Sequence, residues 1–462
     1  MQLKEFTLTS AEIESGEVFQ ALETVIPAAT INQAIESTQS QAERNRRLPT
    51  HLVVALVIAM SLWSQDSIVD VLKNLVDGWS NQWIRLGQRW RIPRKSSISE
   101  ARQRVGSQVM SRLFALVARP LATPGTPGAF LNGLRLMTVD GTVFDVPDTE
   151  ANARVWGYPG SRPGTQAAFP KARLVLLVEA GTHLLTDALI CPYRMGERAR
   201  ALKLLRSVTE GMLLMWDRGL HSYKMVRTTL AQGCNILGRV PANVKFEAVQ
   251  PLVDGSYLSW IAPDGKSKKK GGQRIQVRVI EYTIEGDDQQ QVYRLITDLL
   301  DIAMFPALLL AQEYHHRWEV ENTLDELKTH LNGRKTPIRS KHPRLVVQEI
   351  YGWLLAHWAV RCLMFQAAEH AEISPLHLGF TGTLRVLRRA VAKFQDAQPQ
   401  QIPLFLSWLI EEIVNQKIPP RQGRSNPRVV KKPRSKFPAR KRLHRGTGTN
   451  LEKLTFTIPS TA

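Results

Sequence analysis

The chain has 462 residues, 43% of them hydrophobic and 22% charged, and its 61 Lys and Arg outnumber its 41 Asp and Glu to give a formal charge of +20. That length exceeds one ordinary core and predicts about two to four structural units, while the balance of apolar and charged residues excludes a disordered chain. A pI near 10.1 points to a polyanionic partner, nucleic acid or an anionic membrane surface, and burial in a bilayer is excluded, because the longest apolar run, LVVALVIAM at 52–60, is far short of the roughly 20 residues a span needs.

The chain opens on MQLKEFTLTSAEIESGE, which lacks the apolar stretch of a secretory leader. Residues 1–125 predict a helical N-terminal domain. ATINQAIESTQSQAERN is polar and helix-favouring, whereas HLVVALVIAMSLW, after Pro49, is apolar all round and predicts a buried helix. DSIVDVLKNLV predicts a helix capped by Asp66. PRKSSISEARQRVG carries three arginines and fits either a DNA-facing helix or a basic solvated face packed on the next domain. The three cysteines, Cys191, Cys234 and Cys362, lie far apart without metal-ligand spacing, which fits a reducing cytoplasm and no disulfide framework.

The texture changes at residue 134. LRLMTVDGTVFDVP predicts a β-hairpin turning at or near Asp140-Gly141, and RLVLLVEAGTHLLTDALICP a second pair turning at Ala180-Gly181. GERARALKLLRSV reads as an amphipathic helix and GMLLMWDRGL as a short buried strand ending at Asp217. A helix near 221–232 and the strand CNILGRV follow. Hairpins followed by βαβ alternation predict an α/β fold, a mixed sheet flanked by helices, built from 126–240 and completed by 301–335. SYLSWIA, RIQVRVIEYTI and QVYRLITDLL make 241–300 a β-rich insertion. Its basic turn, KSKKK at 266–270, is a solvated hairpin tip in the plainer reading and a DNA contact in the other. Helices resume at 306–332, 343–369, about 382–394 and about 402–416, which makes 336–418 a C-terminal helical region. Residues 421–445 hold eleven Lys and Arg, no Asp or Glu, and several prolines, so 419–462 is expected to be a flexible basic tail.

One helix carries an unusual set of side chains. In AQEYHHRWEVENTLDELKTHL, at 311–331, Tyr314, Arg317, Glu321 and Lys328 fall within an arc of about 60° at about 100° per residue. Val320, Leu324, Leu327 and Leu331 fill the neighbouring arc, an apolar stripe that can dock on a sheet. Tyr314 and Lys328 stand roughly 21 Å apart along the axis, long enough to track several phosphates. A solvated helix face has much the same composition, and the two strand-borne aspartates tip the balance. Asp140 follows LMTV and Asp217 follows MLLMW. A carboxylate at the end of an apolar strand is disfavoured and expensive to bury unless it is paired or binds a metal, although Asp140 could also be a turn residue. Two aspartates and one glutamate supply the hard oxygens that a pair of Mg²⁺ ions takes. Two such ions about 4 Å apart can activate an attacking oxygen and stabilise a leaving one, with Asp140 the shared ligand.

VDGT at 139–142, WDRGL at 216–220 and Y-x2-R-x3-E-x6-K at 314–328 resemble the three motifs of bacterial DDE-type insertion-sequence transposases, specifically the family whose third motif is called YREK. The resemblance extends over LPTHLVVALVIAMSLW, FPKARLVLLVEAGTH, DGSYLSW and RSKHPRLVVQEIYGWLLAHWAVR. The YREK spacing is its specific element. It implies an RNase H-like catalytic domain with a β-rich insertion between Asp217 and Glu321, and a DNA-end-recognising N-terminal domain. It carries Asp140, Asp217 and Glu321 over as catalytic metal ligands, and Tyr314, Arg317 and Lys328 as contacts to the transposon-end backbone. Leu220 departs from the pattern, where an aromatic is expected. The implied activity is Mg²⁺-dependent cleavage at transposon ends and joining of the 3′-hydroxyl to target DNA, with Mn²⁺ as a substitute ion. The implied partners are the double-stranded DNA of the terminal repeats and of the target, held by a homodimer in the cytoplasm, without a membrane. Rival readings are a catalytically inactive DNA-binding protein and an RNase H-like nuclease that cuts without joining. His315 and His316 have no partners at metal-binding spacing, and Trp216 and Trp260 fit core packing better than stacking on an unpaired base.

Overall fold

The computed structural model describes residues 25–41, 48–76, 92–160, 165–265, 268, 271–283, 292–317, 319–333, 336–395, 397–418 and 439–441. The chain begins with helices α1 (Ala28–Ser37), α2 (Thr50–Leu62), α3 (Ile68–Val76), α4 (Lys95–Val105) and α5 (Gln108–Val117). Helix α2 is buried on every side, as its uniform apolarity predicts. Helix α3 is capped by Ser67, whose Oγ accepts from the Asp70 N–H at 3.2 Å, not by Asp66. Asp66 sits one residue too early to reach that turn and accepts instead from Asn74 Nδ2 at 2.9 Å. In α4, Arg102 is buried and faces protein: its Nε donates to Gln348 Oε1 at 2.9 Å and its Nη2 to Ser340 Oγ at 3.0 Å.

The α/β part runs β1 (Phe130–Leu131), β2 (Leu134–Asp145), α6 (Glu150–Trp156), β3 (Thr165–Ala167), β4 (Lys171–Glu179), β5 (Leu184–Pro192), α7 (Glu197–Leu204), β6 (Met212–Trp216), α8 (Tyr223–Leu230) and β7 (Asn235–Arg239). Strands β8 (Gln250–Pro251), β9 (Tyr257–Ile261), β10 (Ile275–Tyr282) and β11 (Tyr293–Thr297) follow. Their order in the sheet is β5-β4-β2-β6-β7-β11-β10-β9-β8, with β1 beside β2. The pairs β5-β4 and β4-β2 are antiparallel, and β2-β6 and β6-β7 are parallel. This is the RNase H-like mixed sheet expected from the sequence. Strands from 241–300 are present too, and they extend the same sheet, because β11 pairs antiparallel with the free edge of β7.

The expected hairpin at 134–147 is a single strand. Residues Met137–Asp145 pair without a break against Glu179–Lys171 of β4, so Asp140-Gly141 runs straight through the ladder. Nine consecutive pairs outweigh a local turn signal, and Phe144 beyond it is buried in the core. The expected single helix over 306–332 is also interrupted. It divides into α9 (Ala307–His316), α10 (Glu319–Asp325) and a π-helical segment, Glu326–Leu331. Helices α11 (Pro343–His370), α12 (Phe380–Gln395) and α13 (Ile402–Val414) complete the fold.

Helices α7 and α8 cover one face of the sheet, packing on Met137, Val139, Val175 and Leu177. On the other face, α9 packs over Leu136, Leu213 and Met215, and the N- and C-terminal helices pack over Phe144, Leu174 and Leu176. The buried Val320, Leu327 and Leu331 dock the segment after α9 on this side, as the apolar stripe predicts. Gly352 lets α11 lie close on α2, since a Cβ there would stand 2.6 Å from the Val57 carbonyl oxygen. Of the expected tail, only the short strand β12 (Ala439–Lys441) is described, and it pairs antiparallel with β3; the rest of 419–462 lies outside the described residues. Most of KSKKK at 266–270 lies outside them as well. Among the described residues, no helix is long and apolar enough to cross a membrane.

Candidate active site

The site is built where two parallel strands part. The β2-β6 ladder ends at Thr138 opposite Met215, and β6 ends at Trp216. Asp140 therefore lies two residues beyond the last parallel pair, and Asp217 is the first residue after β6. Asp217 thus stands at the carboxyl end of β6, and Asp140 stands mid-strand in β2 just past the point where β6 stops pairing with it, beside the kind of strand end where open α/β sheets form their ligand crevices. Asp140 Oδ1 accepts the Gly141 N–H at 2.7 Å. Burial pushes the Asp140 carboxyl up to about 7; the Gly141 N–H and Arg317 pull against this, and the carboxylates of Asp217 and Glu197 add to it. Asp217 Oδ1 accepts the N–H groups of Gly219 at 2.9 Å and Leu220 at 3.3 Å, which folds the chain back after the strand. Leu220, the departure from the family pattern, is buried in the core under this turn.

The third motif closes the site from the α9 side. Arg317 sits at the break between α9 and α10, its guanidinium nearly buried. Its Nη1 lies 3.8 Å from Asp140 Oδ2 and its Nη2 3.3 Å from Glu321 Oε1, so one cation joins a strand carboxylate to a helix carboxylate. Glu321 itself is half exposed. Tyr314 lies beneath the site, not on its surface. It is 3% exposed, and its hydroxyl donates to the Trp216 carbonyl at 3.2 Å, securing the strand end that precedes Asp217. Lys328 points elsewhere. Burial lowers its pKa, and its charged neighbours are Asp145, Lys171 and Asp325, toward the far end of β2.

The structure thus gathers Asp140, Asp217, Arg317 and Glu321, with Tyr314 below and Lys328 apart. The expected cage of three carboxylates is not preformed: among the described residues, no three His, Cys, Asp or Glu side chains stand together as an ion-holding group. Arg317 lies between Asp140 and Glu321 and supplies the positive charge there. The donor chemistry nevertheless suits a hard divalent cation, since a buried carboxyl held near neutrality is one that its surroundings leave short of countercharge. Glu197 is a neighbour that the sequence did not disclose. It begins α7, its Oε2 accepts from Arg173 Nη1 at 2.6 Å, and its carboxylate packs against Gly141. Nothing in GERARAL distinguishes it from an ordinary first-turn glutamate. Of the two tryptophans, Trp216 is fully buried, whereas Trp260, expected in the core, is 43% exposed on β9. His315 contacts the Tyr282 hydroxyl at 3.2 Å and His316 contacts Glu313 at 3.0 Å, the ordinary roles expected of them.

Residues 132–359 match a family described as "Transposase DDE domain", and residues 17–115 match "Insertion element 4 transposase N-terminal". The chain belongs to the IS4 family of DDE insertion-sequence transposases. It is 28% identical over 414 residues to "Transposase InsG for insertion sequence element IS4" of Escherichia coli (strain K12), covering 88% of this chain and 91% of that one. "Putative transposase InsZ" of the same organism is 26% identical over 230 residues, 49% of this chain and 73% of the relative. Among solved structures, a piggyBac transposase chain from a synaptic complex with hairpin DNA overlaps 89% of this chain and 87% of its own length, at 12% identity and a TM-score of 0.42. This transposase carries all six of its expected site residues inside the DDE match.

Proposed function

We propose that this DNA transposase cleaves at the ends of its element and joins the freed 3′-hydroxyl to target DNA at one site, by cut-and-paste. The observation that supports it best is the placement of Asp140 on β2, just past its parallel pairing with β6, beside Asp217 at the end of β6, with Arg317 reaching from Asp140 to Glu321. Asp140, Asp217 and Glu321 are the residues that would hold divalent cations, Mg²⁺ or Mn²⁺. Two bound ions supply activation of the attacking oxygen and stabilisation of the leaving one. Arg317 orients Glu321 and balances Asp140 until DNA is bound, then offers its guanidinium to a backbone phosphate. Tyr314 acts from below by fixing the Trp216 carbonyl, and so the position of Asp217. Lys328 meets the strand further along, beside Asp145. Helices of residues 1–125 read the terminal repeats. Since one site serves one end, two chains assemble on DNA. Purified protein with terminal-repeat DNA and Mg²⁺ should give nicks, excision and strand transfer, and Asp140→Asn should reduce all three by at least about 10³-fold while DNA affinity stays within about twofold. A variant that cuts like the parent removes Asp140 from the site; binding without nicks, or nicks without joining, identifies a binding protein or a plain nuclease.

A further inference from the structure

Five residues beyond Glu321, the third-motif segment carries Glu326, a glutamate that the proposed reaction does not use. Glu326 is buried, and its pKa is set by opposing forces: burial pushes it up, but Arg361, His183 and His357 hold it well below the usual carboxylate range. Arg361 of α11 grips it with two donors, Nε to Oε2 at 2.9 Å and Nη2 to Oε1. His357, one turn earlier on α11, meets Oε2 at 2.9 Å. From the other side comes His183, in the β4–β5 turn, with Nδ1 3.2 Å from Glu326 Oε1 and Nε2 2.9 Å from Glu319 Oε2.

Two local features accompany this cluster. Glu326 is the first residue of the π-helical segment, whose widened turn is marked by the Asn332 N–H bonding the Leu327 carbonyl five residues back. Such turns are rare and concentrate at functional positions. His183 holds a φ of 60°, a left-handed backbone that persists only where the surroundings over-determine it. The consequence lies in phase. In an unbroken α-helix, Glu321 and Lys328 would point within about 20° of each other. Here Glu321 faces Arg317, and Lys328 faces Asp145 and Lys171. Buried ion pairs of this kind contribute little net stability against apolar replacements, and their best-attested use is to fix register.

We propose that Glu326, held by Arg361, His357 and His183, is a positioning residue that fixes the junction between α10, which carries Glu321, and the π-helical segment, which carries Lys328, and so sets the site's affinity for its divalent ions. The proposal rests on the reading of Glu321 as a site carboxylate. Glu326→Gln/Arg361→Met keeps the size of the cluster and leaves no lone buried charge. Its DNA affinity should fall by no more than a few-fold, through Lys328, while Mn²⁺ binding to the DNA-free protein, read by titration calorimetry, should weaken about tenfold or more. The Mg²⁺ concentration for half-maximal cleavage should rise by the same factor. Glu326→Asp keeps the charge and draws the segment in by one methylene; it should shift both constants the same way, several-fold, even if the double variant folds poorly. Parent values of both constants in either folded variant overturn the proposal. Glu321→Gln is the control. If it is inactive while the Glu326 variants behave as the parent, only the positioning role fails; if it cuts normally, the reading of Glu321 fails first.

Discussion

At the scale of single residues, Asp140 shows what a buried carboxylate does to the fold around it. Its carboxyl is pushed from 3.8 to about 7, first by burial. The folded state therefore holds this proton more tightly than the unfolded chain does. Ionising Asp140 then works against folding: the cost is absent below about pH 4, grows between pH 4 and 7, and reaches about 4 kcal/mol above pH 7. Asp140→Asn removes that cost. In EDTA the variant should melt several degrees above the parent at pH 8 and level with it at pH 4, and added Mn²⁺ should raise the parent's melting temperature but not the variant's. A variant that melts below the parent at pH 8 would mean that Arg317 already neutralises Asp140. Asp140 and Asp217 are legible in the sequence as candidates because each interrupts an apolar run. Glu326 is not, because its environment comes from α11 and the β4–β5 turn, far away in the chain.

At the scale of elements, the apolar runs declared the strands and helices, but local signals misjudged two junctions. Asp-Gly is a strong hairpin signal, yet at 140–141 a nine-pair ladder with β4 keeps the chain extended. Periodicity carried the third-motif helix through residue 318, whereas the structure turns at Arg317 and changes pitch at Glu326. Nor could any pattern within 241–300 reveal that β11 would join the edge of β7, since pairing partners are set by the whole sheet. The β6-β7 pair makes this dependence testable. Trp216 lies opposite Gly238, and a Cβ at 238 would overlap the indole ring. Gly238→Ala should destabilise the protein by about 1–3 kcal/mol through overpacking. It should also slow cleavage at saturating DNA, because Trp216 carries the carbonyl that Tyr314 holds and Asp217 follows directly. Trp216→Phe together with Gly238→Ala makes room for the methyl group and should recover part of both losses. An unchanged melting temperature in Gly238→Ala would show that the two strands do not approach as described.

At the scale of the whole molecule, the N-terminal helices and the C-terminal helices are one body. A single buried cluster runs from Ile31 of α1, through α2 and α11, to Ile413 of α13, and takes in Leu174 and Leu176 of the sheet. Polar contacts follow the same route: Arg102 to Gln348 and Ser340, Arg339 Nη2 to the Trp63 carbonyl at 3.1 Å, and Arg388 Nε to the Leu62 carbonyl. Helix α2, buried on every side, cannot keep its apolar surface from water without α11 against it. The N-terminal helices and the part of the chain that carries Glu321 and Glu326 are thus coupled through α11, whose Arg361 and His357 reach the third-motif segment. Gly352→Val tests that coupling directly, because the added side chain would meet the Val57 backbone where α11 crosses α2. Calorimetry should show one unfolding transition for the parent, and the variant should move that whole transition down by several degrees, with terminal-repeat binding and cleavage weakened together. Two transitions, with only the lower one displaced, would mean that the N-terminal helices fold by themselves and that α11 supports the catalytic half alone.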